Sequence, residues 1–407
     1  MMQYATNVDG SDKQQQRDSD AVQWTRRLVG FDTVSHKSNL ALIDLVAGHL
    51  KTIGLDVTVL PDGSGQWANI LATLPAQDGS RTGGLILSGH TDVVPVDGQD
   101  WLTDPFCAEI REARIYGRGA CDMKGFIGVT LALIQRLAKL PHEKPVHLAF
   151  SFDEEVGCTG IPILIEELAR RGLNAEGCVV GEPTDMLPVY AHKGQSAYRC
   201  CVHGKAAHSS LTPYGVNAIE YASLLVRHVR DTADDLRRTG PFDNAFDVPY
   251  STAQTGLISG GIATNTVPDT CELSFEFRTL PGVDPDDCFQ RVREYAYQSV
   301  LPQMKEENQA CNIEFSRIAD VPAFEAPDEA QLTKVVRQLQ QDFVPRKVAY
   351  GTEAGFFSKA QIPTLICGPG SISHAHKANE FISLEQLRSC EVFLNNLISY
   401  FCKRTSA

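Results

Sequence analysis

The amino-acid sequence reads as an α/β protein with a mixed, largely parallel sheet, interrupted by a smaller βαββαβ domain, on three grounds. Its 407 residues exceed what one hydrophobic core usually supports. Strand and helix signals alternate from Val22 to about Val189, the pattern of a sheet covered by helices. Near Gly194 the texture changes, and after Pro322 the alternation resumes, so the middle segment reads as an insertion. The expected limits are a polar tail over 1–20, a first domain over 21–194 and 322–407, and an inserted domain over 195–321.

In chain order, AVQWTRRLVGF (21–31) and NLALIDLVAGHLKTIG (39–54) carry apolar residues at helical spacing, the second stopped by Gly54. LDVTVL, ANILATL, GGLILSG, VHLAFSF and GCVVGEP are short apolar runs bounded by turn residues, hence strands. MKGFIGVTLALIQRLAKL and GIPILIEELARRG, lying among the last of these strands, are helices. In the insertion, QSAYRCCVHG alternates as a half-buried strand does, and GVNAIEYASLLVRHVRDTADDLRR is a helix. Two strands follow, YSTAQTGLISGG and TCELSFEFRTL, then the helix DDCFQRVREYAYQSVLPQM and the strand CNIEFSRIA, which completes a split-βαβ order. The first domain resumes with a helix over 329–343, the strand TLICGPG and a final helix from Leu384.

Composition narrows the function. Residues are 43% hydrophobic and 21% charged, as in soluble globular proteins. Lys+Arg 37 against Asp+Glu 50 leaves a net charge of −13, which argues against nucleic acid or an anionic membrane as partner and allows a cationic substrate. No C-x-x-C pair occurs among the twelve cysteines, several of which lie inside apolar runs, so a cytoplasmic protein with small buried thiols is expected. The first twenty residues lack an apolar leader segment, and no run is long enough to span a bilayer.

Chemistry concentrates at predicted strand ends. LILSGHTDVVPVDG ends an apolar strand in His90, and Asp92 two places on projects to the same side, so the pair can touch. YGRGACDMKG brings Asp122, SFDEEVG brings Glu154 and Glu155, VVGEPT brings Glu182, and ISHAHKANE brings His374 and His376. Ligands of open α/β sheets bind outside the carboxyl ends of the strands. Singly, each residue has an ordinary structural alternative; Asp122, for example, could cap the helix that begins near Met123. Together, a histidine, an aspartate, two glutamates and a second histidine suit two zinc-like ions bridged by a carboxylate. Adjacent Glu154 and Glu155 diverge, so one can ligate while the other acts on water.

GHTDVVP, GRGACDMKG, DEEVG, GEPT, KAAHSS and GGIATNTVPD resemble the motifs of the dinuclear zinc amidohydrolase and peptidase family that contains carboxypeptidase G2, aminoacylase and succinyl-diaminopimelate desuccinylase. Within it, LVGFDTVS, HKGQSAYRCCVHG and GVNAIEYA are similar to the acetylornithine deacetylase branch. The resemblance implies a zinc-peptidase-like catalytic domain interrupted by a ferredoxin-like lid that also forms a homodimer. It implies His90, Asp122 as bridge, Glu155, Glu182 and His376 as ligands of two Zn2+ ions, a set that also accepts Co2+. Asp92 then orients His90, Glu154 is the general base, and His374 is a loop residue. The lid supplies His208 as oxyanion donor, from its own or the partner subunit, and Asn265 and Arg278 for the substrate carboxylate. Glu353 in YGTEAGFF is either an acid facing a cationic substrate end or the first residue of a helix. The CGPGS turn either donates to the substrate or only ends a strand.

The expected activity is hydrolysis of N-acetyl-L-ornithine to L-ornithine and acetate, a step of arginine biosynthesis. The alternatives are desuccinylase, aminoacylase or small-peptide hydrolase activity on another N-acyl amino acid, or an inactive relative that only binds metal or ligand.

Overall fold

The structure, a computed structural model, describes residues 19–339 and 346–402. The described residues fall into two compact units, one formed by the chain up to Tyr190, by 326–339 and from Thr352 onward, the other by Ala191–Glu325 and Arg346–Gly351. The expected polar tail lies outside the described residues as far as 18. Its last two positions begin the first helix, Asp20–Val29, whose Val22 N–H is capped by the Ser19 hydroxyl. The helix expected over 329–343 is described as Gln331–Leu339, the remainder lying outside the described residues.

The sheet of the first unit runs, in spatial order, Asp56–Pro61, Ala68–Leu74, Val146–Ser151, Leu85–His90, Gly177–Pro183 and Thr364–Gly368. The last four are mutually parallel and the first two antiparallel, so the sheet is mixed and largely parallel. Every residue of those four strands is buried, which is why they read as unbroken apolar runs. The helix Gly125–Leu137 is buried over most of its circumference because it lies between other helices, Asp20–Val29 and Leu384–Cys402. Parallel pairing has one consequence for function: the carboxyl ends of four strands open onto one edge of the sheet.

The second unit is a four-stranded antiparallel sheet in the order Thr252–Gly260, Thr270–Thr279, Gly194–His203, Asn312–Val321. The helices Ala218–Thr239 and Pro285–Tyr295 join Tyr198, Val202, Leu273, Phe275 and Phe277 in a common core. Numbered along the chain, the strands stand 2-3-1-4, the ferredoxin-like arrangement. Among the described residues no helix is long and apolar enough to cross a membrane.

Candidate metal centre

Three of the parallel strands deliver acidic or histidine side chains at or just past their ends. Leu85–His90 finishes on His90, and Gly177–Pro183 carries Glu182 at its penultimate position. Val146–Ser151 is followed by Asp153 in the left-handed region (φ 57°) and a single helical turn, Glu154–Val156. Close backbone approach sets the place of Glu182: a Cβ on Gly368 would stand 2.0 Å from the Gly181 carbonyl oxygen, and one on Gly181 would enter the Phe126 ring. Asp122 is not the helix cap that its position allowed. It has extended φ and ψ (−119°, 96°), the helix starts only at Gly125, and its carboxylate faces two histidines.

Those contacts divide the cluster in two. His90 Nε2 lies 3.0 Å from Asp122 Oδ1 and 3.8 Å from Glu182 Oε1. His376 Nε2 lies 3.3 Å from Asp122 Oδ2 and 3.0 Å from Glu155 Oε2. Asp122 therefore belongs to both groups through different oxygens. Two ligand atoms each about 2.1 Å from one zinc ion at the tetrahedral angle stand roughly 3.4 Å apart, so these spacings suit a shared ion in each group. Glu154 gathers with His90 and Glu182; Glu155 gathers with His90 and Asp122 and also meets His376, so the adjacent glutamates have different neighbours.

Electrostatics points the same way. Burial, then the charge of Glu182, pushes the Glu154 carboxyl well above the carboxylate range, and burial, then Asp122, does so for Glu182. Asp122 is held low despite its burial by hydrogen bonds from His376 and His90, and the bonds to Asp122 and Glu155 raise His376 to about 10. Among the described residues, the buried Oε1 of Glu182 has no hydrogen-bond partner. Crowded buried acids with an orphaned oxygen and two imidazoles fit a pair of divalent cations in an N/O donor set.

Asp92 meets His90 through both its main chain and its carboxylate. His90 Nδ1 makes its shortest contact, 2.9 Å, with the Asp92 main-chain oxygen, and the carboxylate is 3.4 Å away. That carboxylate is engaged by the Ser35 hydroxyl (2.8 Å) and by the N–H groups of Glu154 (3.1 Å) and Glu155 (3.3 Å), which have no helical partner of their own. His374 packs against Phe381 with ring centroids 4.3 Å apart and the planes tilted by 33°. Glu353 precedes the short helix Ala354–Lys359, only 1% exposed, with Ser151 beside its carboxyl; burial raises it to about 7.

Within the second unit, His208 and Asn265 are neighbours, since Ser209 N–H donates to the Asn265 carbonyl (3.0 Å). His208 Nδ1 accepts from Ser210 N–H (3.2 Å), which leaves the ring proton on exposed Nε2. Arg278 lies on the strand Thr270–Thr279, 3.3 Å from Glu276.

Three residues close to the centre escaped the sequence reading: Gln99, Arg118 and Glu380. Two lay inside quoted motifs, GRGACDMKG and ISHAHKANE. An arginine and a glutamate 262 positions apart carry no local sign that they meet, at 2.6 Å and each 1% exposed.

Comparison with known proteins agrees with the fold. Residues 86–400 match the model of peptidase family M20/M25/M40. An acetylornithine deacetylase of Proteus mirabilis is 33% identical over 380 residues, covering 93% of this chain and 94% of the relative. One from Pasteurella multocida is 34% identical over 368 residues, covering 90% and 92%. Among solved structures, an M20 family metallo-carboxypeptidase from Sulfolobus solfataricus superposes with a TM-score of 0.76 at 17% identity, over 94% of this chain and 99% of that one. An aminopeptidase from Bacillus cereus does so with a TM-score of 0.69 at 20% identity, over 93% and 97%. Strand ends that assemble two carboxylate–histidine groups, in a chain matched along nearly its whole length, make this protein a member of peptidase family M20/M25/M40 and a metal-dependent amidohydrolase.

Proposed function

We propose that the protein hydrolyses N-acetyl-L-ornithine to L-ornithine and acetate, serving arginine biosynthesis in the cytoplasm. The observation that carries this reading is the likeness, at 33–34% identity over at least nine-tenths of the chain, to curated acetylornithine deacetylases. His90, Asp122 and Glu182 would hold one zinc ion, and Asp122, Glu155 and His376 the other. Zinc so held lowers the pKa of water and polarises an acyl carbonyl. Glu154 takes the proton that water loses as its oxygen bonds to the acetyl carbon. It returns that proton to the nitrogen as the C–N bond breaks, leaving acetic acid and the amine, and transfer of the acid's proton then gives acetate and the ammonium form. His208 donates Nε2–H to the oxygen that becomes negative, while Asn265 and Arg278 hold the α-carboxylate. Glu353, a buried acid of the same unit as Glu154, meets the ornithine ammonium.

A homodimer through the second unit is part of this proposal. Its edge strand Thr252–Gly260 exposes Leu257 (71%) and Ile258 (53%), and Ile262 beyond it is 91% exposed, a surface suited to pairing with a copy of itself. The cytoplasmic reading rests on twelve free thiols, ten of them buried.

A panel of N-acetyl, N-succinyl and N-acyl amino acids and dipeptides, with product detection, tests the substrate. Acetylornithine should show the highest kcat/KM, and a higher value for a succinylated diamino acid or a dipeptide would overturn the reading. Glu353→Gln should raise KM for acetylornithine by about tenfold or more while leaving N-acetylmethionine little changed, since only the former carries a charge for it to meet. Equal changes for both substrates would remove Glu353 from the specificity site.

A further inference from the structure

We propose that Gln99, Arg118 and Glu380 form a positioning relay that sets where Asp122 and His376 stand relative to one another, an inference that rests on those two residues being metal ligands. Glu380 Oε1 accepts from the main-chain N–H groups of Cys121 (2.9 Å) and Asp122 (3.1 Å). Its Oε2 accepts from Arg118 Nη1 (2.6 Å), and Arg118 Nη2 donates to Gln99 Oε1 (2.7 Å). Gln99 Nε2 then donates to the main-chain carbonyl of His376 (3.0 Å). The path runs without a gap from the backbone of one residue to the backbone of the other, and their side chains close the ring at 3.3 Å.

Each link has a single workable chemistry. Gln99 Oε1 also accepts from the Trp101 indole (3.1 Å), and since guanidinium and indole only donate, the amide cannot be reversed. Arg118 and Glu380 are each 1% exposed, a pairing that is weak ground for stability in itself. Its position gives it another use. His376 holds φ at 62°, a left-handed conformation that a non-glycine residue keeps only where its surroundings impose it, and Gln99 grips the carbonyl of that residue. Antiparallel pairing of Phe381–Ser383 with Arg114–Tyr116, extended by Gly117 N–H to the Glu380 carbonyl (2.9 Å), brings the distant segments into register.

The test is zinc binding by the chelator-stripped full-length protein, measured by competition with a chromophoric chelator well below each variant's melting temperature. Visible absorption of added Co2+ reports ligand geometry. Gln99→Met, which keeps length but loses both hydrogen bonds, and Arg118→Lys, which keeps charge but loses the fork, should each weaken one zinc equivalent by about ten- to hundredfold and alter the cobalt spectrum. That equivalent should be the one lost in His376→Ala. Wild-type affinity and spectrum in either variant would overturn the relay, and a lowered melting temperature with unchanged affinity would assign these residues to structure alone. If His376→Ala and Asp122→Asn both still bind two equivalents as the wild type does, it is the assignment of ligands that fails.

Discussion

Glu154 and Glu155 are adjacent, yet they meet different neighbours because the turn that carries them is pinned. Asp92 accepts both of their N–H groups, and Asp153 before them enters the left-handed region. Glu154 is thereby directed to His90 and Glu182, whereas Glu155 meets His376. Glu154→Gln should keep the bound metal and lower kcat by about two to four orders of magnitude, since an amide cannot accept the proton that water gives up. Metal content and kcat measured together check this, and near-wild-type turnover would transfer the base to Glu155. His376→Ala should lower the zinc stoichiometry and His374→Ala should not, because His376 contacts two carboxylates and His374 packs against Phe381. Metal analysis after dialysis distinguishes the two, and equal losses would contradict the assignment.

Among the secondary-structure elements, the strand Val146–Ser151 also carries a titratable side chain in the sheet interior. His147 is fully buried, with Nε2 3.0 Å from the Gly83 carbonyl and Nδ1 3.0 Å from the Thr73 hydroxyl. A carbonyl only accepts, so Nε2 carries a proton, and in the neutral ring Nδ1 receives the Thr73 hydroxyl hydrogen. Burial holds its pKa below the ordinary 6.5, so the unfolded chain binds the proton more readily than the folded one. The resulting stability is fully present above about pH 6.5 and is lost as pH falls towards the lower, folded-state value. Melting temperature between pH 7.5 and 5 should therefore fall more steeply for the wild type than for His147→Gln. Parallel curves would show that His147 does not contribute to acid sensitivity.

For the molecule as a whole, the proposed homodimer allows the roles of Glu154 and His208 to be tested together. In a homodimer where His208 serves the partner's site, coexpression of His208→Ala with Glu154→Gln should restore part of the activity. One of the two sites in the mixed dimer then holds both intact residues. The measurement is kcat of the purified heterodimer, with each inactive homodimer as reference. A heterodimer that forms and stays inactive would assign His208 to its own subunit or to structure. His208→Ala itself should lower kcat far more than it raises KM, because the charge it meets exists only in the transition state.

Strands, helices and the motif residues were legible in the chain because their signals are local. Buried parallel strands are continuous apolar runs, the inserted unit alternates with period two, and His90, Asp122, Glu155, Glu182 and His376 stand at or beyond predicted strand ends. Local signals also left real alternatives that neighbours in space decided. Asp122 fits a helix cap by sequence, and two histidines instead take its carboxylate. Asp92 lies beside His90 as its place in the sequence allows, and its carboxylate also accepts the N–H groups of the Glu154 turn, which the sequence did not show. The relay from Asp122 through Glu380, Arg118 and Gln99 to His376 was invisible before folding. A hydrogen bond depends on where the atoms stand to a few tenths of an ångström, and for residues hundreds of positions apart only the folded chain fixes that distance.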